Sequence, residues 1–92
     1  MNKAELVDAI AERANVTKTE ADNILSTAID TIIEAVAAGD KVALVGFGAF
    51  EKRDRSAREG RNPRTGQSMS IPATSVPAFS AGKFFKQTVA GT

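Results

Sequence analysis

An α+β fold is what the sequence predicts: a two-helix N-terminal half, then three antiparallel strands and a short last helix. Three observations predict it. Apolar residues recur at spacings of three and four from Leu6 to Val36, the period shortens to β-branched runs after Gly39, and Lys52 to Thr65 is almost free of apolar residues. A chain of 92 residues has room for one domain. A domain of that size buries only about 60–70% of the surface its unfolded form exposes, so burial against a partner subunit would help it.

The first helix opens on Asn2 and Glu5, a side-chain acceptor for free N–H groups and a carboxylate able to reach back. Leu6, Val7, Ile10, Ala11 and Ala14 give it one apolar face, and Asn15 can take the left-handed conformation that ends it. Thr17 with Glu20 is a capping box for a second helix, whose stripe of Ala21, Ile24, Leu25, Ala28, Ile29, Ile32, Ile33 and Val36 runs to Gly39. That stripe is too broad for one short neighbour to cover, which points to a second copy of the chain and a homodimer. Lys41 to Val45 then reads as a strand, Gly46 to Gly48 as a turn, Ala49 to Arg55 as a second strand and Gln67 to Phe79 as a returning one. Pro72 and Pro77 confine that last strand to edges or bends. Ser80 is the expected cap of a final helix that docks Phe84, Phe85 and Val89 on the body.

Composition narrows the function. There is no cysteine and no histidine, which removes disulfides, thiolate chemistry, imidazole bases and the common zinc sites. No catalytic site, cofactor, metal or small-molecule substrate is expected. No apolar run approaches the roughly 18 residues of a spanning helix. Lys3, Glu5, Asp8 and Glu12 interrupt the N-terminal apolar residues as no signal peptide would, so a cytoplasmic location is expected. The net charge of +1 conceals an asymmetry. Residues 1–40 hold three basic groups against eight acidic ones, a balance of −5, whereas residues 41–92 hold nine against three, a balance of +6. Only the second half is suited to a polyanion.

That charge concentrates between Lys52 and Arg64, where six cations, Lys52, Arg53, Arg55, Arg58, Arg61 and Arg64, face Asp54 and Glu59 for a balance of +4. A polar cationic hairpin tipped by Arg61 to Gly66 is shaped for a groove lined with phosphates, and planar, weakly hydrated arginine suits the narrow minor groove. Pro63 at the tip offers a rigid ring without an N–H that could wedge between stacked base pairs.

Four segments carry a resemblance: Asn2-Lys3-x-Glu5-Leu6, Val45-Gly46-Phe47-Gly48-x-Phe50, Gly60-Arg61-Asn62-Pro63-x-Thr65-Gly66 and Pro77-Ala78-Phe79-x-Ala81-Gly82-Lys83. Together they resemble the HU and integration host factor family of bacterial nucleoid proteins over essentially the whole chain. The resemblance implies an intertwined dimer with a helical dimerisation base at 1–40, saddle strands at 41–51 and 73–80, a DNA-binding arm at 52–72 and a C-terminal helix at 81–92. It implies an architectural protein that binds double-stranded DNA through the minor groove with little sequence specificity and bends, wraps and compacts it in the nucleoid. The tip-proline wedge is the known device of minor-groove architectural proteins, this family among them. Carried over by position, Pro63 is the wedge, Arg61, Asn62 and Arg64 flank it, and Arg53, Arg55 and Arg58 line the arm. Lys3, Lys83 and Lys86 are candidates for DNA wrapped along the flanks, with Lys83 near a helix N-terminus. Phe47, Phe50 and Phe79 match the family's buried aromatic cluster. One departure is Gln67 to Ser70, which lacks the cations that relatives often carry there.

Other readings are weaker. A helix-turn-helix would put the second helix in the major groove, but Glu20, Asp22, Asp30 and Glu34 would repel phosphates. Gly82-Lys83 lacks the remainder of a phosphate-binding loop, having Pro77 and Phe84 where Gly and Ser or Thr belong. A sequence-selective bending factor like integration host factor is the alternative within the family. A protein-interaction module using the arm as a pairing edge would need apolar anchors that Lys52 to Arg64 lacks beyond Ala57.

Overall fold

Each helix of the N-terminal half begins where the sequence supplies an acceptor and ends where it supplies a left-handed residue. The structure, a computed structural model, describes residues 1–91. Helix α1 spans Lys3–Ala14, and its Asn2 Oδ1 accepts the Glu5 N–H at 2.9 Å. Asn15 closes it at φ 56°, ψ 49°. Helix α2, Lys18–Ala37, starts on a complete capping box: the Glu20 N–H donates to Thr17 Oγ1 at 3.1 Å, and the Thr17 N–H donates to Glu20 Oε1 at 3.4 Å, with the Thr17 hydroxyl also donating to that oxygen at 2.9 Å. Thr17→Ala should cost about 1 kcal/mol of stability, read as a lower urea midpoint at fixed protein concentration. The C-terminus of α2 closes as a Schellman motif, with Gly39 N–H to Val36 O at 3.0 Å and Asp40 N–H to Ala35 O at 2.9 Å.

The chain divides into two compact units, Met1–Glu34 and the residues from Ala35 on. In the first, Val7, Ala11 and Ala21 form a small core flanked by Ile10, Val16 and Leu25. Two exposed ion pairs tie α1 to α2, Lys3 Nζ to Asp22 at 3.5 Å and Lys18 Nζ to Asp8 at 3.3 Å. At such exposure each contributes little.

The second unit carries the strands. β1 (Val42–Leu44), β2 (Gly48–Arg55) and β5 (Thr74–Ala81) make an antiparallel sheet in the order β1-β2-β5. β3 (Arg58–Arg61) and β4 (Ser68–Ile71) make a two-stranded ribbon. Pro77 is tolerated because β5 lies at a sheet edge. The single returning strand expected over Gln67–Phe79 is in fact two strands, since the ladder stops at Pro72 and Ala73. Pro72 has no N–H to contribute there.

Helix α3 (Lys83–Ala90) corrects two expectations. Its N-cap is Gly82, without a side-chain cap bond, because Ser80 remains in β5 opposite Ala49. Phe85 alone of the three apolar residues turns inward, stacking on Phe47 at 5.4 Å between ring centroids, while Phe84 and Val89 remain 71% and 74% exposed. The aromatic cluster forms, with Phe50 and Phe79 rings 4.8 Å apart and Phe47 and Phe79 5.3 Å apart. In the single chain it is not buried as expected, since Phe47 and Phe79 keep over two fifths of their surface exposed.

Candidate nucleic-acid interface

The arm is one ribbon in register despite its interruption. β2 pairs with β5 out to Arg55 opposite Thr74, and β3 pairs with β4 from Arg58 opposite Ile71 to Arg61 opposite Ser68. The residue numbers of partners sum to the same value throughout, so Ser56 and Ala57 face Ala73 and Pro72 with no slip. A one-residue slip would move every side chain to the opposite face, so the unbroken register is what keeps the cations in order along the ribbon. Arg53 and Arg55 share one face of β2; in β3, Arg61 lies on the face of Glu59, and Arg58 on the face of Gly60, Met69 and Ile71.

The tip is a four-residue loop, Pro63 to Gly66, between Asn62 and Gln67. The Asn62 N–H donates to Gln67 O at 2.8 Å, and the Gly66 N–H donates to Asn62 O at 2.7 Å. Asn62 Oδ1 accepts the Arg64 N–H at 2.9 Å, an Asx turn that leaves Pro63 exposed at the apex. Gly66 takes φ +72°, the left-handed step that brings the chain back.

The structure brings Arg55, Arg58, Arg61, Asn62, Pro63 and Arg64 together along this ribbon. Arg53 is at its base but already engaged: its Nε and Nη2 donate to Glu51 Oε1 at 3.3 and 3.2 Å, and Nη2 also reaches Ser80 Oγ at 3.5 Å. Glu51 escaped the sequence reading, although two residues apart on a strand is same-face spacing. Asn62 builds the turn with its carbonyl oxygen, which accepts the Arg64 N–H, while its amide nitrogen donates to no group among the described residues. Lys3 belongs to the first unit, where besides Asp22 its Nζ donates to Ser26 Oγ at 2.7 Å. Lys83 and Lys86 are exposed one turn apart on α3, Lys83 in its first turn.

No group of His, Cys, Asp or Glu able to hold a metal ion occurs among the described residues. None of their helices is long and apolar enough to cross a membrane.

Residues 1–90 match the family model described as bacterial DNA-binding protein. The chain belongs to that family. It is 68% identical over 90 residues to the DNA-binding protein HU of Nostoc sp., an alignment covering 98% of this chain and 96% of that one. It is 52% identical over 91 residues to DNA-binding protein HU 1 of Bacillus subtilis, covering 99% of both. Among solved structures, the Anabaena HU–DNA cocrystal structure superposes with a TM-score of 0.92 at 66% identity over 100% of both chains. HU from Thermotoga maritima superposes at 0.70 and 37% identity, over 97% of this chain and 98% of that one. Membership of the bacterial DNA-binding family fits the placement of the cations on an exposed, tipped ribbon.

Proposed function

We propose that the protein is an architectural nucleoid component that acts as a homodimer, binds double-stranded DNA in the minor groove with little sequence preference, and bends, wraps and compacts it. The observation that carries this reading is the continuous-register ribbon with exposed arginines along it and exposed Pro63 at its apex. Arg53, Arg55, Arg58, Arg61 and Arg64 supply phosphate and groove contacts, Asn62 shapes the tip and donates from its amide, and Pro63 is the wedge. Lys3, Lys83 and Lys86 hold the DNA flanks, Lys3 by exchanging Asp22 for phosphate. The arm comprises residues 52–72, between saddle strands at 41–51 and 73–80, with a dimerisation base at 1–40 and α3 as the C-terminal helix. Backbone and minor-groove contacts carry little base information, so preference among sequences follows how easily each bends.

Homodimerisation has its own support. Ile24, Ile33, Phe84 and Val89 are all at least 60% exposed in the single chain, and its buried hydrophobic side chains are only Val7, Ala11, Ala21 and Val36 among the described residues. A second copy supplies the missing cover. The protein works by binding alone, without catalysis or cofactor, in the cytoplasm. Such a wedge costs a few kcal/mol of unstacking per step, offset by the contacts that bent DNA offers.

Pro63→Ala separates bending from binding. Energy transfer between duplex ends should show a clearly smaller bend at saturating protein, with affinity reduced less than about tenfold. A bend equal to the parent's would eliminate the wedge.

A further inference from the structure

The break in the ribbon places a hydroxyl among the arginines. Ser56 is exposed and lies outside both ladders, with Arg53 and Arg55 before it and Arg58 after it. Beyond Phe50 the outer edge of β2 has no partner strand among the described residues, because β1 pairs only with Gly48, Ala49 and Phe50. A second protein can therefore engage this stretch as an extended segment. Ser68, Ser70 and Thr74 on the opposite strands are exposed as well, but Thr65, Gln67 and Ile71, not arginine, stand three residues before them; Ser75 donates to Asp54 at 2.6 Å and Ser80 accepts from Arg53.

We infer that Ser56 is a phosphorylation site, read by a serine kinase that selects arginine on the N-terminal side, and that its modification releases the arm from DNA. This rests on the DNA-binding reading above. Arginines three residues and one residue before the serine form a cationic pattern that an acidic kinase surface recognises by charge complementarity. In the transfer, Ser56 Oγ attacks the γ-phosphorus of a nucleoside triphosphate and forms the new P–O bond. The bond from that phosphorus to the β,γ-bridging oxygen breaks, the nucleoside diphosphate leaves with the electron pair, and the hydroxyl proton passes to the kinase's carboxylate base.

The product acts by charge. A phosphoserine carries about −1.5 to −2 at neutral pH, which cuts the +4 balance of residues 52–64 to roughly +2. It also places an anion in the break between Arg55, the last residue of β2, and Arg58, the first of β3, in competition with DNA phosphates. Across two arms the log K against log salt slope should become shallower by about 2 to 4.

The test treats full-length protein and Ser56→Ala with Mg-ATP and a kinase selective for arginine three residues before serine. Transfer is mapped by mass spectrometry, and each product is titrated into a fluorescent random-sequence duplex. One phosphoryl group per chain at Ser56, none in Ser56→Ala, at least about tenfold weaker binding near 0.1 M salt and recovery on phosphatase treatment are expected. Failure to modify Ser56 in the folded protein, or a phosphorylated chain that binds like the parent, overturns the inference. An untreated protein that ignores the duplex would instead sink the DNA-binding reading itself.

Discussion

Replacing Arg58, Arg61 and Arg64 together by Gln is expected to weaken duplex binding by about two to three orders of magnitude near 0.1 M salt, with little change in thermal unfolding. All three are exposed, and none has an ion-pair partner among the described residues. Their removal therefore leaves no buried charge unpaired, and the fold has little to lose. Each phosphate contact accounts for about 0.9 of the slope of log K against log salt, so loss of six per dimer should make that slope shallower by about 5. Fluorescence anisotropy over a salt series reads both quantities. Equal affinity and an unchanged slope would remove the distal arm from the interface.

Gly48→Ala is expected to produce the largest loss of stability, about 3 kcal/mol or more. Gly48 sits at φ +153°, and a Cβ there would stand 2.5 Å from Ser80 O and 2.6 and 2.7 Å from Phe79 Cζ and Cε1. Neither obstacle yields easily. The Ser80 carbonyl is backbone of the strand paired with β2, and the Phe79 ring is packed against Phe47, Phe50 and Phe85. The ladder that carries the arm starts here, so loss of duplex binding should accompany loss of structure. Urea unfolding at fixed protein concentration checks it; a midpoint equal to the parent's would mean that the turn is far more pliant than its packing indicates.

The helices were legible because their signals are local. Asn2, Asn15, Thr17 with Glu20 and Gly39 each act on backbone groups within four residues, and each forms the cap or stop that its residue type suggests. Ser80 misled for the complementary reason: as a residue type it is a good cap, but non-local pairing with Ala49 holds it in a strand. The apolar residues of α3 show the same limit. Spacing identifies Phe84, Phe85 and Val89 as an apolar set without saying that one stacks on the Phe47 ring and the others remain exposed.

In the arm, charge and the tip residues are visible in the order of residues alone. Which cations are free is not. Arg53 and Arg55 look equivalent as letters, yet Glu51 holds Arg53 while Arg55 remains free of ion pairs among the described residues. Asn62 likewise reads as a groove contact, although its Oδ1 also accepts a bond in the turn it builds. Register was the other hidden quantity, because only a ladder continuing in phase on both sides of Pro72 makes two short strand pairs into one arm.

The most direct measurement is the affinity of the unmodified full-length protein for a random-sequence duplex from about 0.05 to 0.2 M salt. A dimer that neutralises about six to ten phosphates should give a straight line of log K against log salt with a slope of about −5 to −9. A flat line, or no binding at the lowest salt, would contradict an arm that holds DNA through its phosphates.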